Sequence, residues 1–149
     1  GKIGIPDNIL RKPSKLNTAE FDVMKTHPEK GREIIDSVLE DFNLGTFGHA
    51  NILRNIAEYH HEAIDGSGYP KGLKGDEIPI EARISAVADV FDALTSRRSY
   101  KAAWSNEDAF TMLRQMANSK LDRDCVEALI NSAEKILEIQ QRFRDNDLI

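Results

Sequence analysis

The sequence predicts an all-α protein, a single compact multi-helix domain over residues 1–149. Apolar residues recur at intervals of three and four along most of the chain, which is the spacing of one helix face. No segment of four or more residues alternates apolar and polar side chains as a half-buried strand does. A chain of 149 residues is long enough to bury about two-thirds of its unfolded surface in one core.

Composition narrows the classes of function. The 20 basic and 25 acidic residues give a formal charge of −5, whereas a domain that binds duplex nucleic acid usually has a basic excess. The single cysteine, Cys125, cannot form an internal disulfide, as is typical of a reducing compartment. No apolar run approaches the roughly 20 residues that span a bilayer. We therefore expect a cytoplasmic domain that contacts neither duplex nucleic acid nor membrane.

The N-terminal third of the chain predicts two helices. Residues 1–16 show turn chemistry with no helix or strand ahead of them, and we expect the chain to be an N-terminally truncated part of a longer protein. The first helix starts with Asn17 or Thr18 as its cap, and Asn17 with Glu20 has the pattern of a capping box. Pro28 cannot continue that helix but suits the first turn of the next, over residues 28–42.

A third helix and a long loop follow. Residues 47–63 carry apolar residues at helical spacing, and the side chains expected to face inward are Ile52, Leu53, Ile56 and Tyr59. The next segment, residues 64–79, is rich in glycine and proline. It is a loop of roughly fifteen residues, and loops of this length in compact domains are often functional.

The fourth predicted helix, residues 80–96, is apolar nearly all round. One broad side holds Ile84, Val87, Ala88, Phe91 and Leu94, and the side behind it holds Ala86, Val90 and Ala93. The polar residues of this helix form a narrow stripe that consists of Ser85, Asp89, Asp92 and Ser96. Because such a helix is expected to be buried, its carboxylates need a cation, several donors or a metal. A solvated stripe on an otherwise buried helix is the alternative.

Two more helices complete the fold. Ser105 is a good cap for a helix over residues 105–119, and Asp122 for a single long helix over residues 123–146. The apolar residues of that last helix keep the period of a surface helix.

The histidines change the interpretation of the aspartate stripe. His60 and His61 are consecutive at the end of the third helix, and His27 precedes the proline that starts the second. Consecutive residues of a regular helix point about 100° apart, so both can serve one metal only at a helix end. With Asp89 they predict a transition-metal site, although each histidine alone has a surface or core role as the alternative. We assign His49 to a turn.

Basic residues lie next to this predicted site. Arg98 and Lys101 follow the aspartate helix, and Lys2 lies at the start of the chain. Guanidinium groups suit phosphate, and a metal beside phosphate-binding cations indicates phosphoester hydrolysis. A solvated surface is the alternative for such a basic run.

The motifs together resemble the HD-GYP family, a branch of the HD metal-dependent phosphohydrolases. The matching stretches are "GKIGIPDNILRKPSKL", "THPEKG", "HHEAIDGSGYP" and "ARISAVADVFDALTSRRSYK". The resemblance implies an HD-type all-α fold with the loop over the site. It also implies hydrolysis of the bacterial second messenger cyclic di-GMP to linear pGpG and further to GMP. Other signalling proteins, such as diguanylate cyclases, are implied as partners.

The resemblance also assigns residues. Those that match metal ligands for iron or manganese are His27, His60, His61 and Asp89. Those that match catalytic residues are Lys2, near the scissile phosphate, and Asp92, near the basic residues. Those that match substrate-binding residues are Arg98, Lys101, Gly68, Tyr69 and Pro70.

The chain departs from the family pattern in one important respect. The first His and Asp of the family would stand immediately before Gly1, so we expect one weakly held metal or none in this chain by itself. Ala63, Ile64 and Ser99 are smaller departures. Two other functions stay open: a non-catalytic module that binds the dinucleotide or a partner protein, and an HD-type phosphohydrolase of another nucleotide.

Overall fold

The computed structural model describes residues 1–44, 48–96 and 103–144, and it confirms the all-α class. The helices are α1 (Asp7–Leu10), α2 (Thr18–Met24), α3 (His27–Asp41), α4 (Ala50–Tyr59), α5 (Ile80–Thr95), α6 (Asn106–Met116), α7 (Arg123–Asn131) and α8 (Ala133–Arg144). Short 3-10 turns cover Lys2–Gly4 and Gly75–Glu77. The described ranges contain no strand, only an isolated bridge between Ala117 and Leu121.

The start of the chain has more helix than predicted. Residues 1–16 contain a 3-10 turn and the four-residue α1, which Pro6 precedes as N-cap. One turn of helix is too short to give a periodic pattern. The capping box of α2 is confirmed: the Asn17 side chain accepts from the Glu20 N–H at 2.9 Å, and the Glu20 carboxylate accepts from the Asn17 N–H at 2.8 Å. Pro28 lies in the first turn of α3, as expected.

Helices α3 and α4 pack against each other and carry the histidines at their ends. The contact runs through small and polar residues: Gly31 faces Ala57, and Arg32 binds Glu58 at 2.8 Å. The inward orientation expected for Ile52 and Leu53 is wrong, since both are exposed. The reason is that α4 uses its small residues, not its largest apolar ones, for the approach to α3.

The main core lies between α5, α6 and α7. Its buried members are Ala86, Val87, Phe91, Ala109, Phe110, Leu113, Leu121 and Val126. The rings of Phe91 and Phe110 stack with centroids 5.6 Å apart. The burial expected for α5 is only half right, because Ile84 and Ala88 of the predicted broad side are exposed, whereas Ala86 of the side behind it is buried.

The long C-terminal helix is two helices, which corrects the prediction. Ser132 separates α7 from α8, with φ −98° and ψ 21°. Its N–H donates to the carbonyl of Leu129 and its hydroxyl to the carbonyl of Ala128. A hydroxyl that occupies a helical carbonyl competes with the regular ladder. No described helix has the length and apolar character needed to cross a membrane.

Candidate metal centre

Three of the four predicted metal ligands meet in space. One ring nitrogen each from His27, His60 and His61 lies within 4.8 Å of the other two. The ring centroids of His60 and His61 are only 4.2 Å apart. The two consecutive rings converge because α4 ends at Tyr59, so that His60 is the C-cap and His61 lies in the following turn. His27 approaches from the first turn of α3 and is buried.

Backbone carbonyls fix two of the rings. His27 Nδ1 lies 2.9 Å from the Met24 carbonyl, and His60 Nδ1 lies 2.9 Å from the Ile56 carbonyl. A carbonyl only accepts, so both Nδ1 atoms carry the proton and both Nε2 atoms offer a lone pair. These Nε2 atoms are 3.2 Å apart. Two lone pairs at that distance repel each other unless a cation lies between them.

The environment keeps two imidazoles neutral. Burial lowers the pKa of His61 to about 3, and the charges of His60, His27 and Lys2 act in the same direction. Burial also lowers the pKa of His27. Because a histidine binds a metal in its neutral form, these rings are ready ligands at neutral pH.

The aspartates of α5 are more exposed than expected. Asp89 and Asp92 are exposed, which corrects the prediction of a buried stripe. The side of α5 that packs in the core is formed by Ala86, Val87 and Phe91, and the two carboxylates lie outside it. Asp89 nevertheless lines the same cavity as His27 and His61. Asp92 does not: it lines a separate cavity between α5 and α8.

The cavity beside the histidines has a volume of about 700 Å³. Its lining includes His27, His61, Tyr69 and Asp89 and, from the N-terminal segment, Lys2, Lys12, Ser14 and Lys15. Lys2 was predicted for the site. The sequence reasoning missed Lys12 and Lys15, although the alternation of lysine with proline and serine in "RKPSKL" is a signal for an exposed basic loop.

The loop that follows α4 closes over one side of the site. The Tyr69 ring stacks on the His61 ring with centroids 4.8 Å apart and an angle of 26°. Gly68 lies directly against the backbone of Glu62 and Ala63. Burial and the charge of Asp89 raise the pKa of Tyr69 to about 12, so the phenol stays protonated. Among the loop residues predicted to bind substrate, Tyr69 lines the cavity, and Gly68 and Pro70 flank it in sequence.

The remaining predicted residues, Arg98 and Lys101, lie outside the described residues. What the described part provides is a donor set of three imidazole nitrogens with a carboxylate in the same cavity. Nitrogen and carboxylate ligands suit first-row transition metals. The facing lone pairs of His27 and His60 fit a cation between them, so these residues fit a metal site.

Comparisons with known proteins agree with this chemistry. The HD-domain family model matches residues 1–125. A probable cyclic di-GMP phosphodiesterase of Vibrio cholerae is 42% identical over 147 residues, which are 99% of this chain and 33% of the relative. The cyclic di-GMP phosphodiesterase response regulator RpfG of Xanthomonas campestris is 45% identical over 144 residues, 96% of this chain and 36% of the relative.

A relative named for a different substrate is almost as similar. The 3'3'-cGAMP-specific phosphodiesterase 2 of Vibrio cholerae is 40% identical over 145 residues, which are 97% of this chain and 26% of the relative. The chain thus spans about a third of the length of these curated relatives.

Proposed function

Because this chain belongs to the HD-domain family, we propose that it is a metal-dependent phosphodiesterase domain that hydrolyses cyclic di-GMP in bacterial signalling. One observation carries the proposal: three imidazole nitrogens converge within 4.8 Å, and two of these histidines, His27 and His61, line a cavity that three lysines also line. Neutral imidazoles bind a metal, and the ammonium groups match the two phosphates of a cyclic dinucleotide.

In this proposal His27, His60 and His61 hold a divalent iron or manganese ion, with Asp89 as a further oxygen ligand from α5. Such a metal supplies Lewis-acid activation of a phosphoryl oxygen and of water. In hydrolysis, the oxygen of water forms a bond to phosphorus while the bond to the ribose 3′ oxygen breaks. That oxygen takes up a proton, and the product is linear pGpG. A second hydrolysis would give GMP.

The chain's own residues position the substrate and balance its charge. Lys2 lines the cavity beside His27 and His61, so its ammonium group can neutralise charge that develops on the phosphoryl oxygens. We keep Arg98 and Lys101 as proposed phosphate-binding residues and Asp92 as a proposed acid near them. The Tyr69 phenol, which stays neutral, presents a donor and an apolar ring to the same cavity.

Gly1 lies beside the histidine cluster. Gly1 packs so tightly against α3 that an added Cβ would lie 1.7 Å from the His27 carbonyl oxygen. Residues that precede Gly1 in a longer polypeptide would therefore enter at the histidine cluster. A His-Asp pair there, as the resemblance implies, would complete a site for two metals.

A second candidate is a signalling module that binds the dinucleotide without cleaving it. It is favoured by the exposed position of Asp89, since only three ligand groups converge among the described residues. A third candidate, hydrolysis of 3'3'-cGAMP, is favoured by the relative named for that substrate. Contacts with other signalling proteins such as diguanylate cyclases, and a cytoplasmic location, stay predictions.

The test is an anaerobic assay with iron(II) or manganese(II), performed on this chain and on a polypeptide extended upstream of Gly1. Cyclic di-GMP and 3'3'-cGAMP are supplied separately, and products are resolved by chromatography. Linear product from cyclic di-GMP supports the proposal, and faster turnover of 3'3'-cGAMP changes the assigned substrate. Binding of the dinucleotide without any product, in both polypeptides, would make the signalling module the better assignment.

Metal content gives a separate test of the ligand assignment. His61→Ala and Asp89→Ala are each compared with Glu138→Ala, which removes an exposed carboxylate of α8 that pairs with Lys135 and does not line the cavity. We expect each ligand variant to lower manganese affinity by at least about tenfold, which is about 1.4 kcal/mol. Wild-type affinity in Asp89→Ala would remove Asp89 from the site.

A further inference from the structure

Glu62 is a buried carboxylate that the proposed reaction does not use. It is 5% exposed and follows His61 directly in sequence. Its Oε1 accepts from the backbone N–H groups of Lys71 at 2.6 Å and Gly72 at 3.1 Å, and its Oε2 accepts from the N–H of Leu73 at 3.0 Å. A buried carboxylate requires such partners, and three converging amide donors compensate the lost hydration.

Tyr69 lies two residues before the backbone that Glu62 holds. Tyr69 is joined to the histidine turn twice, because its N–H donates to the His61 carbonyl at 3.1 Å and its ring stacks on the His61 ring. Its other side meets the Phe21 ring edge-on, with centroids 6.5 Å apart. Both ends of the loop from Gly68 to Leu73 are thus bonded to the His61–Glu62 turn, Tyr69 to His61 and residues 71–73 to Glu62.

His61 depends on this loop more than the other two histidines do. The rings of His27 and His60 each donate Nδ1–H to a backbone carbonyl. Within the described part of the chain, no hydrogen bond to the His61 ring is found, and its ring contacts are those with Tyr69 and the other two histidines. The orientation of the His61 ring is therefore set by packing, and Tyr69 supplies the non-histidine surface of that packing.

We propose that Glu62 is a positioning residue for the metal centre: its carboxylate fixes the backbone of residues 71–73, keeps the Tyr69 ring against His61 and so holds the His61 imidazole toward His27 and His60. This inference rests on the proposed function in one respect, the assignment of His61 as a metal ligand. The carboxylate acts through the loop and touches neither metal nor substrate.

The variants are Glu62→Ala, which removes all three acceptor contacts, and Glu62→Gln, which keeps one acceptor oxygen. Glu29→Ala is the matched control. Glu29 pairs with the Lys71 side chain at 3.1 Å but accepts no backbone N–H of the loop. Circular dichroism and thermal melting establish that each variant is folded, and Glu62→Gln keeps the test valid if Glu62→Ala does not fold.

The first measurement is hydrogen exchange of the peptide that contains residues 68–74, in metal-free protein. We expect exchange to be at least about tenfold faster in Glu62→Ala than in wild type, intermediate in Glu62→Gln and unchanged in Glu29→Ala. Unchanged exchange in Glu62→Ala would show that the carboxylate does not hold the loop, and the proposal would be wrong.

The second measurement reports on His61 itself. Diethyl pyrocarbonate labels accessible imidazoles, and mass spectrometry gives the rate for His61 with exposed His49 as internal reference. We expect Glu62→Ala to raise the labelling rate of His61 about tenfold, because the loop should open about ten times more often, as in the exchange measurement. Tyr69→Ala should raise the labelling rate of His61 by the same factor. The double variant Glu62→Ala/Tyr69→Ala should show no further increase, because the two residues act in series. Faster loop exchange with an unchanged His61 rate would reduce Glu62 to a purely structural role.

The third measurement uses cobalt(II) as a spectroscopic probe of the histidine site. Loss of a group that orients a metal ligand typically lowers metal affinity by about 10–100-fold. We expect Glu62→Ala to lower cobalt(II) affinity by a factor in that range and to change the visible absorption bands of bound cobalt(II). An unchanged spectrum and affinity would contradict the proposal. Hydrogen exchange and histidine labelling need neither metal nor nucleotide. These two measurements therefore test the role of Glu62 even if the protein hydrolyses no dinucleotide.

Discussion

Gly68 offers the sharpest perturbation of the loop that covers the candidate metal centre. A Cβ at this position would lie 2.3 Å from the Ala63 nitrogen and 2.5 Å from the Glu62 Cα. Both atoms belong to the backbone, so no flexible side chain can move aside. Gly68→Ala must therefore push the loop away from the turn that carries the two consecutive histidines.

The size of the effect follows from these distances. Ordinary van der Waals contact begins at 3.4 Å, so the loop has to move by about 1 Å. Overpacking of this kind costs about 1–3 kcal/mol. Loss of the hydrogen bond from Tyr69 N–H to the His61 carbonyl adds about 1 kcal/mol. For a chain of this length, a global loss of that size lowers Tm by roughly 5–15 °C.

The assay combines thermal melting, hydrogen exchange of residues 68–74 and manganese affinity. Gly48→Ala is the matched control, since an added Cβ at Gly48 meets nothing within 4 Å. We expect Gly68→Ala to lose manganese affinity and to exchange faster in the loop, whereas Gly48→Ala stays at wild-type values. If Gly68→Ala equals the control in all three measurements, the close packing of the loop against the histidine turn does not exist in solution.

Three further predictions concern other parts of the molecule. Lys15→Ala should weaken cyclic di-GMP binding about tenfold at low salt with metal affinity unchanged, whereas Lys135→Ala on α8 should have no effect by calorimetry. Hydrogen bonds, first from the Lys120 ammonium and then from Ser67, hold the pKa of Asp65 below its usual range. The Asp65 carboxylate therefore stabilises the fold above about pH 4, and this contribution is lost as the pH falls. The Tm difference between wild type and Asp65→Asn should shrink below pH 4, and a constant difference would contradict this. Burial and a hydrogen bond with Asp122 raise the pKa of Cys125 to about 11, so iodoacetamide should react at pH 8 roughly two hundredfold more slowly than with a free cysteine.

Sequence patterns predicted those parts of the fold that depend on local chemistry. The capping box at Asn17 and the cap at Ser105 formed as expected because each cap needs only the residues of one helical turn. The predictions failed where packing between helices decides. The exposure of Ile52 and Ile84 follows from which face each helix presents to its neighbours, and a helical wheel contains no information about the neighbours.

The same distinction applies to the site. The convergence of His60 and His61 could be expected from sequence, because their position at a helix end removes the 100° divergence of consecutive residues. The choice between a buried and a solvated Asp89 could not be made from sequence, because it depends on α6 and α7 covering another side of α5. The role of Glu62 was equally hidden, since its three partners lie nine to eleven residues further along a loop without periodicity.

The end of α4 creates both the candidate metal centre and its dependence on the loop. A regular helix fixes side chains through its own turns, and His60 still benefits, since its Nδ1–H reaches the Ile56 carbonyl within the helix. His61 lies one residue beyond and has no such partner in the described part of the chain. The end of α4 at Tyr59 allows the two rings to converge, and for the same reason His61 lacks helical support. The Tyr69 ring and the backbone held by Glu62 replace that support. It follows that changes in the loop should affect His61 before they affect His27 or His60.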